Sequence, residues 1–281
     1  MTICPREYKA RYHFVCGWRI DFAALTILEI NRVTRRRSSS KTRRSISGSF
    51  FSRLRRRDLS IIEWALVGIV GVFVVLPVGL ILLYRVVPPP LTTVMAIRLV
   101  EGQGLSRDWV PLEEIAPSVR YAVIASEDNN FCSHGGVDWA ALRQAMTAEI
   151  EGGGQGGAST LTMQTARNLM LWPHRSYIRK GLELYVATLI DALWPKERIF
   201  EVYLNIAEWG PGVFGIEAAA QHHFGVSAKD LTQREAARLA VILPNPIELH
   251  ATASTGHVTR QAAIVRKRIG QLGPLLDCVR P

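Results

Sequence analysis

Trp64 to Tyr84, WALVGIVGVFVVLPVGLILLY, is a run of 21 residues without a formal charge. No other stretch limits the fold so strongly, because about 18 or more apolar residues in succession suffice to cross a hydrocarbon core of about 30 Å and are unusual inside a soluble domain. One transmembrane helix is therefore expected, kinked but not forbidden by Pro77. The run is too long for the core of a cleaved signal peptide, and no small-residue cleavage site follows it. Charge is distributed unevenly around it. Residues 1–60 carry 15 Lys/Arg and 4 Asp/Glu, a net of +11, whereas residues 61–281 carry 19 and 20, a net of −1. The overall charge of +10 and the pI near 9.8 thus belong to the N-terminal arm, and nucleic acid is not expected as a partner. Arg53, Arg55, Arg56 and Arg57 sit just before the apolar run, so the positive-inside rule puts the N-terminus in the cytoplasm and residues 88–281 outside it.

The chain divides into a basic, largely disordered tail over 1–60, a transmembrane helix over 61–86, a membrane-proximal linker over 87–111 and one folded domain over 112–281. Within the tail, residues 34–57 are expected to be disordered or to lie on anionic lipid headgroups. The first thirty residues are compatible with an amphipathic segment or with a misplaced start. Cys4, Cys16, Cys132 and Cys278 show no CxxC spacing, which argues against zinc. Only Cys132 and Cys278 face an oxidising compartment in this topology, and a disulfide between them stays open.

Periodicity in the folded domain is mostly helical. Asp138 is placed to cap a helix with Trp139, Leu142, Met146 and Ile150 on one apolar face. Ser159 is placed to cap the next. A longer helix from about Tyr177 to Trp194 is expected to bury Ile178, Leu182, Tyr185, Val186, Leu189 and Leu193 before Pro195 stops it. Another runs from Lys196 to about Glu208. Thr232-Gln-Arg-Glu235 has the form of a capping box ahead of a helix ending before Pro244, and Val258 to Leu272 reads as a last amphipathic helix. The best strand candidate is residues 91–100, LTTVMAIRLV. The Gly152–Gly157 run is either a flap over a cleft or a plain connection.

Two carboxylates carry the chemistry. Glu127 follows the apolar Tyr121–Ala125, which places it at the end of a buried helix, where desolvation raises a carboxyl toward the range of a general acid or base. A solvated helix-terminal carboxylate is the plainer alternative. Glu183 lies four residues after Arg179 and three after Lys180, so the three share a helix face opposite the apolar stripe. An exposed ion pair of little worth is one reading. With Arg167 and Arg175 upstream, the same cations could instead grip a diphosphate.

Four blocks follow one another: Glu127-Asp128-x-x-Phe131-x-x-His134-x-Gly136; Gly157-Ala-Ser159-Thr160-Leu-Thr162-Met163-Gln164 with Arg167-Asn168; Arg179-Lys180-x-x-Glu183; and Lys196-Glu-Arg-Ile-Phe-Glu201-Val-Tyr203-Leu204-Asn205. Gly210-x-Gly212, Gly215-Ile216 and Ala218–Ala220 come next. In this order, from about Leu112 to Gly270, they resemble the peptidoglycan glycosyltransferase family 51 domain in its monofunctional biosynthetic form. The resemblance implies a mainly α, lysozyme-like glycosyltransferase domain behind one N-terminal transmembrane helix. It implies an enzyme that polymerises lipid II into β-1,4-linked glycan strands, with release of undecaprenyl diphosphate, for cell wall biogenesis and cell shape.

By the same resemblance Glu127 and Glu183 are the catalytic pair. Glu127 would take the proton from the acceptor 4-hydroxyl, while Glu183 would support the leaving group by orienting cations or by holding a divalent cation, expected as Mg²⁺. Asp128, Phe131, His134, Ser159, Thr160, Gln164, Arg167, Arg175, Arg179 and Lys180 are the expected substrate-binding residues. Expected partners are lipid II, the growing lipid-linked glycan, membrane lipids and other cell-wall synthases or the divisome. The expected location is a bacterial inner membrane, with the catalytic domain periplasmic and held near the lipid surface by the short linker Val86–Met95. Two departures stand out: Met163-Gln164 replaces the usual paired Gln, removing a polar group from the expected donor-side cleft, and Arg167 replaces the usual Lys before Asn168. Lys196–Asn205 is read mainly as structure.

Three other classes compete. A lytic enzyme would share fold and glutamate but need no cations for a diphosphate, and a noncatalytic scaffold would tolerate loss of Glu127. A bifunctional synthase needs a transpeptidase domain for which the 281 residues leave no room, and the only Ser-x-x-Lys, Ser38 to Lys41, falls in the basic tail.

Overall fold

The computed structural model describes residues 60–153, 157–174, 176–253 and 256–280. The expectations for the basic tail before residue 60, for Arg175 and for the centre of the Gly152–Gly157 run lie outside the described residues. The fold is mainly α and lysozyme-like, with one small sheet. Helix α1, Ser60–Tyr84, is the one helix among the described residues long and apolar enough to cross a membrane, with a mean hydropathy of 3.0 and almost none of it buried in protein. Pro77 has no N–H to return to the Phe73 carbonyl four residues back, and the helix takes a π turn over Gly71–Val75 just ahead of it.

Side chains from the folded domain reach the backbone of α1. The Tyr185 hydroxyl donates to the Phe73 carbonyl at 2.7 Å, and Trp194 Nε1 donates to the Ile81 carbonyl at 2.7 Å. Arg198 donates to the Tyr84 carbonyl from Nε and Nη2, at 3.1 and 2.8 Å, and from Nη2 to Val87. The last carbonyls of a helix lack intrahelical partners and carry its negative end, so a guanidinium there is favourable on both counts. Helix α1 is consequently docked on the folded domain, not merely tethered to it.

After α1 come α2 (Thr93–Val100), β1 (Ser106–Arg107), α3 (Pro117–Glu127), α4 (Trp139–Ile150), α5 (Leu161–Met170), α6 (Tyr177–Leu193) and α7 (Lys196–Ile206). Then β2 (Glu208–Gly210), β3 (Val213–Phe214), α8 (Ile216–Phe224), α9 (Gln233–Ile242) and α10 (His257–Leu272) complete the order. In the sheet β3 is central, parallel to β1 and antiparallel to β2, with Ser106 opposite Val213.

Helix α3 is the hub: Val119, Ala122, Val123, Ile124 and Ala125 are all buried, and α9 and α10 pack across it. The buried Arg120 donates to the carbonyls of Leu112, Ile115 and Val279, tying the C-terminal turn Gly273–Val279 beneath the hub. A disulfide joins Cys132 to Cys278 with the Cα atoms 5.5 Å apart, fastening that same turn to the loop after Glu127. On the other side α5 packs between α6 and α7, and α2 lies against α5.

The capping box Thr232–Glu235 forms as expected, and Asp138 Oδ1 accepts from the amides of Ala140 and Ala141. Four expectations need correction. Residues 91–100 are no strand: Thr92 caps α2 by accepting from Met95 N, and burial of Val94 and Met95 outweighs the β-branched local preference. Thr160, not Ser159, caps α5, because its hydroxyl accepts from Met163 N. On α4 only Leu142 touches the core, and Trp139, Met146 and Ile150 are exposed, since this helix packs extensively on no other element. On α6 Val186 is buried but Ile178 is exposed, whereas Arg179 and Glu183 are buried.

Candidate active site

Glu127 is the last residue of α3, and Asp128 closes that helix by donating its N–H to the Ile124 carbonyl. The Glu127 carboxyl accepts from Gln164 Nε2 at 3.0 Å on Oε2 and from the Ser126 hydroxyl at 3.3 Å on Oε1. Burial pushes this carboxyl above the ordinary glutamate value, and the negative charge of Asp128 adds to the rise; the Gln164 and Ser126 donors and the positive charge of Arg167 oppose it. The group faces a hollow of about 230 Å³ whose walls include Asp128, Asn130, Asp138, Ser159 and Thr160.

The loop after Glu127 is held from several sides. Asp128 accepts from Leu161 N at 2.9 Å and meets His134 Nε2 at 2.9 and 3.0 Å, so its oxygens are engaged within the protein. The Thr160 hydroxyl donates to the Gly136 carbonyl at 2.6 Å. Gly136 has φ +61°, and a Cβ there would come within 2.8 Å of Asp191 and 3.0 Å of the Ala187 carbonyl, so only glycine lets the loop lie on α6. Lys196 Nζ donates to the His134 carbonyl and to Asp191, both at 2.8 Å, and sits 4.9 Å from the centre of the Phe131 ring. Phe131 itself is fully buried against Phe200. Its expected contact with substrate is therefore corrected to a core anchor for the loop.

Glu183 has a different setting. Ser176 caps α6, and one turn in, Arg179 Nη1 donates to Glu183 Oε2 at 2.7 Å while Lys180 Nζ donates to Oε1 at 2.8 Å. Lys180 also reaches the Ser159 hydroxyl at 2.7 Å, and Arg179 Nε holds the His174 carbonyl at 2.8 Å. Glu183 is 1% exposed, which overturns the picture of an ion pair on the solvated face. These cations and Arg167 line a hollow of about 500 Å³. Ser159 belongs to this hollow and to the one at Glu127. Arg167 belongs both here and to a third hollow of about 220 Å³ beside Gln164 and Tyr203. Buried carboxylate and cationic pocket thus open into neighbouring parts of one cleft.

The residues present do not fit a divalent cation held by Glu183. Both of its oxygens already bind cationic side chains, and no group of three or more His, Cys, Asp or Glu comes together among the described residues. Met163, expected to thin the polar lining of the cleft, is fully buried in the core instead. Lys196 and Tyr203 take part in the site, contrary to the expectation that their block is mainly structural. A buried tyrosine usually finds a partner for its hydroxyl, which was the available signal; here the partner is Gln164 Oε1 at 3.1 Å.

The family described as transglycosylase matches residues 94–270. This chain belongs to that family. A biosynthetic peptidoglycan transglycosylase of Pseudomonas fluorescens is 47% identical over 224 residues, covering 78% of this chain and 90% of the relative. Its counterpart in Rhodospirillum centenum is 52% identical over 193 residues, 68% of this chain and 84% of the relative, and that of Caulobacter vibrioides 46% over 205, covering 72% and 90%. The transglycosylase match spans α2 through most of α10, and therefore every carboxylate and described cation of the cleft. The protein is a glycosyltransferase.

Proposed function

We propose that this transglycosylase builds peptidoglycan by polymerising lipid II into β-1,4-linked glycan strands and releasing undecaprenyl diphosphate. The observation that carries the reading is the pairing, in one cleft, of a buried carboxyl whose affinity for a proton is raised with a cluster of cations built around a second carboxylate. Ionised Glu127 accepts the proton of the acceptor 4-hydroxyl as that oxygen bonds to the anomeric carbon of the donor. The bond from that carbon to the diphosphate breaks, and its electron pair leaves with the diphosphate. Attack from the face opposite the leaving group inverts the centre. A sugar hydroxyl is a weak nucleophile, and a positioned base contributes about 10²–10⁴-fold.

The leaving diphosphate gathers negative charge, which Arg167, Arg179 and Lys180 are placed to meet. Glu183 keeps Arg179 and Lys180 in position and partly balances them before substrate arrives. No step needs a metal from Glu183. Substrate carried by a polyprenyl chain remains in the bilayer, which suits an enzyme whose apolar helix is docked to its catalytic domain. We place the domain on the periplasmic face of a bacterial inner membrane, with lipid II, the growing glycan and membrane lipids as its contacts. The lytic alternative gives no reason for three cations beside Ser159.

The test incubates detergent-solubilised full-length protein with labelled lipid II beside Glu127→Gln. Polymer that lysozyme digests, from the wild type alone, is the expected result. Release of fragments from finished peptidoglycan with no polymer would replace the synthetic reading by the lytic one.

A further inference from the structure

Tyr203 lies on α7 with its ring buried and its hydroxyl turned toward α5. That hydroxyl donates to Gln164 Oε1 at 3.1 Å, while Nε2 of the same amide donates to Glu127 Oε2 at 3.0 Å. A primary amide has one accepting end and one donating end, so whatever binds the first decides what the second presents. With the phenolic proton on Oε1, the NH₂ group faces the carboxyl, and a donor facing a carboxylate favours its ionised form. The reversed amide would turn Oε1 toward Glu127, accept a proton from the neutral acid, and leave the Tyr203 hydroxyl without its acceptor.

We propose that Tyr203 is a positioning residue for the general base: by fixing the direction of the Gln164 amide it keeps Glu127 ready to accept a proton. This rests on the reading of Glu127 as that base. Other groups facing the carboxyl are Asp128 beside it, Arg167 from α5 and, across the hollow, Asp138 at the start of α4. His134 touches Asp128 and not Glu127. The Ser126 hydroxyl also meets the carboxyl and is shared with the Ala240 carbonyl, but only the Gln164 amide is held by Tyr203, which disfavours the reversed amide because its own proton would lose its acceptor. Burial raises the Tyr203 phenol well above its ordinary value, with the negative charge of Glu127 adding to the rise, so the hydroxyl keeps its proton wherever the enzyme works.

The experiment follows the Glu127 carboxyl directly by ¹³C NMR titration of glutamate-labelled full-length protein, with Glu127→Gln assigning the signal. The pH profile of kcat/KM is recorded alongside. Tyr203→Phe, which keeps the ring, is expected to raise the Glu127 pKa by about half to one unit, the size of one neutral hydrogen bond. The acid limb of kcat/KM moves to higher pH by the same amount, because the base must be ionised to act. Gln164→Met is expected to give at least as large a shift, and adding Tyr203→Phe to it no more, since both act through one amide. The proposal is overturned if Tyr203→Phe slows turnover at every pH with an unmoved titration, or if it shifts the titration equally with Gln164 absent. A wild type that forms no polymer but shows the NMR shifts would refute the reaction and leave the positioning intact.

Discussion

Glu127 and Glu183 line hollows that meet at Ser159, yet the protein treats the two carboxylates in opposite ways. Around Glu127 the immediate hydrogen-bond donors are neutral, an amide and a hydroxyl, and burial raises its hold on a proton. Around Glu183 each oxygen has a cation of its own within 2.8 Å. One residue type thereby occupies two settings: a carboxyl with a raised hold on its proton, and a counter-charge that holds two cations in place, which under the proposed function serve a phosphate ester. The difference comes from the neighbours. Glu127 ends a helix whose last buried turn, Ala122–Ala125, is apolar, whereas Glu183 sits one turn above Arg179 and Lys180 on a helix that Ser176 starts.

Stability should separate the two most sharply. Removing one partner of a buried ion pair costs about 3–5 kcal/mol, because the remaining charge is left uncompensated. Glu183→Gln should therefore lower the thermal midpoint strongly, and an unchanged midpoint would place Glu183 outside any buried ion-pair network. Glu127→Gln should not. A carboxyl whose folded pKa is raised contributes stability that is complete below the unfolded value, about 4.5, and is lost as pH rises through the folded pKa. At pH 7 the Gln variant should match or exceed the wild type, with the advantage fading below about pH 4.5. A destabilised variant at pH 7 would mean that Glu127, too, is a structural counter-charge.

The disulfide belongs to the Glu127 side alone. Replacing Cys132 and Cys278 by Ser should cost about 2–4 kcal/mol in denaturant unfolding. It should also loosen the loop that carries Asp128 and His134 while sparing diphosphate affinity. Loss of that affinity to the same degree as turnover would show that the two halves of the cleft are not separable. The smallest effect is expected at Met163→Gln, which buries an amide in the core, at about 1–3 kcal/mol. Faster polymerisation in that variant would put Met163 back in the cleft.

Much of this architecture can be read from the sequence where one local rule acts alone. Pro195 ends α6, Asp138 caps α4, Thr232 and Glu235 form their box, and Glu127 closes a helix whose apolar residues announce its burial. Reading fails where tertiary contacts reverse a local preference. Thr92, Thr93 and Val94 favour a strand in isolation, but the Thr92 cap and the burial of Val94 and Met95 make a helix. Spacing along α6 places Glu183 away from the apolar stripe, and it cannot show that Arg179, Lys180 and Ser159 close over it. The motif order groups Phe131 with cleft residues, although its ring anchors the loop from inside. Burial of Tyr203 calls for a hydroxyl partner, but the sequence does not say which, because the partners of Tyr203 and Lys196, Gln164 and the His134 carbonyl, lie 39 and 62 positions away.

The division of labour between the carboxylates is tested most directly by separating lipid II binding from bond formation in single-turnover experiments on Glu127→Gln and Lys180→Met. The account predicts that Glu127→Gln binds lipid II nearly as the wild type does while bond formation slows by about 10²–10⁴-fold, and that Lys180→Met chiefly weakens binding of the diphosphate substrate. Equal losses of binding and of bond formation in both variants would contradict it.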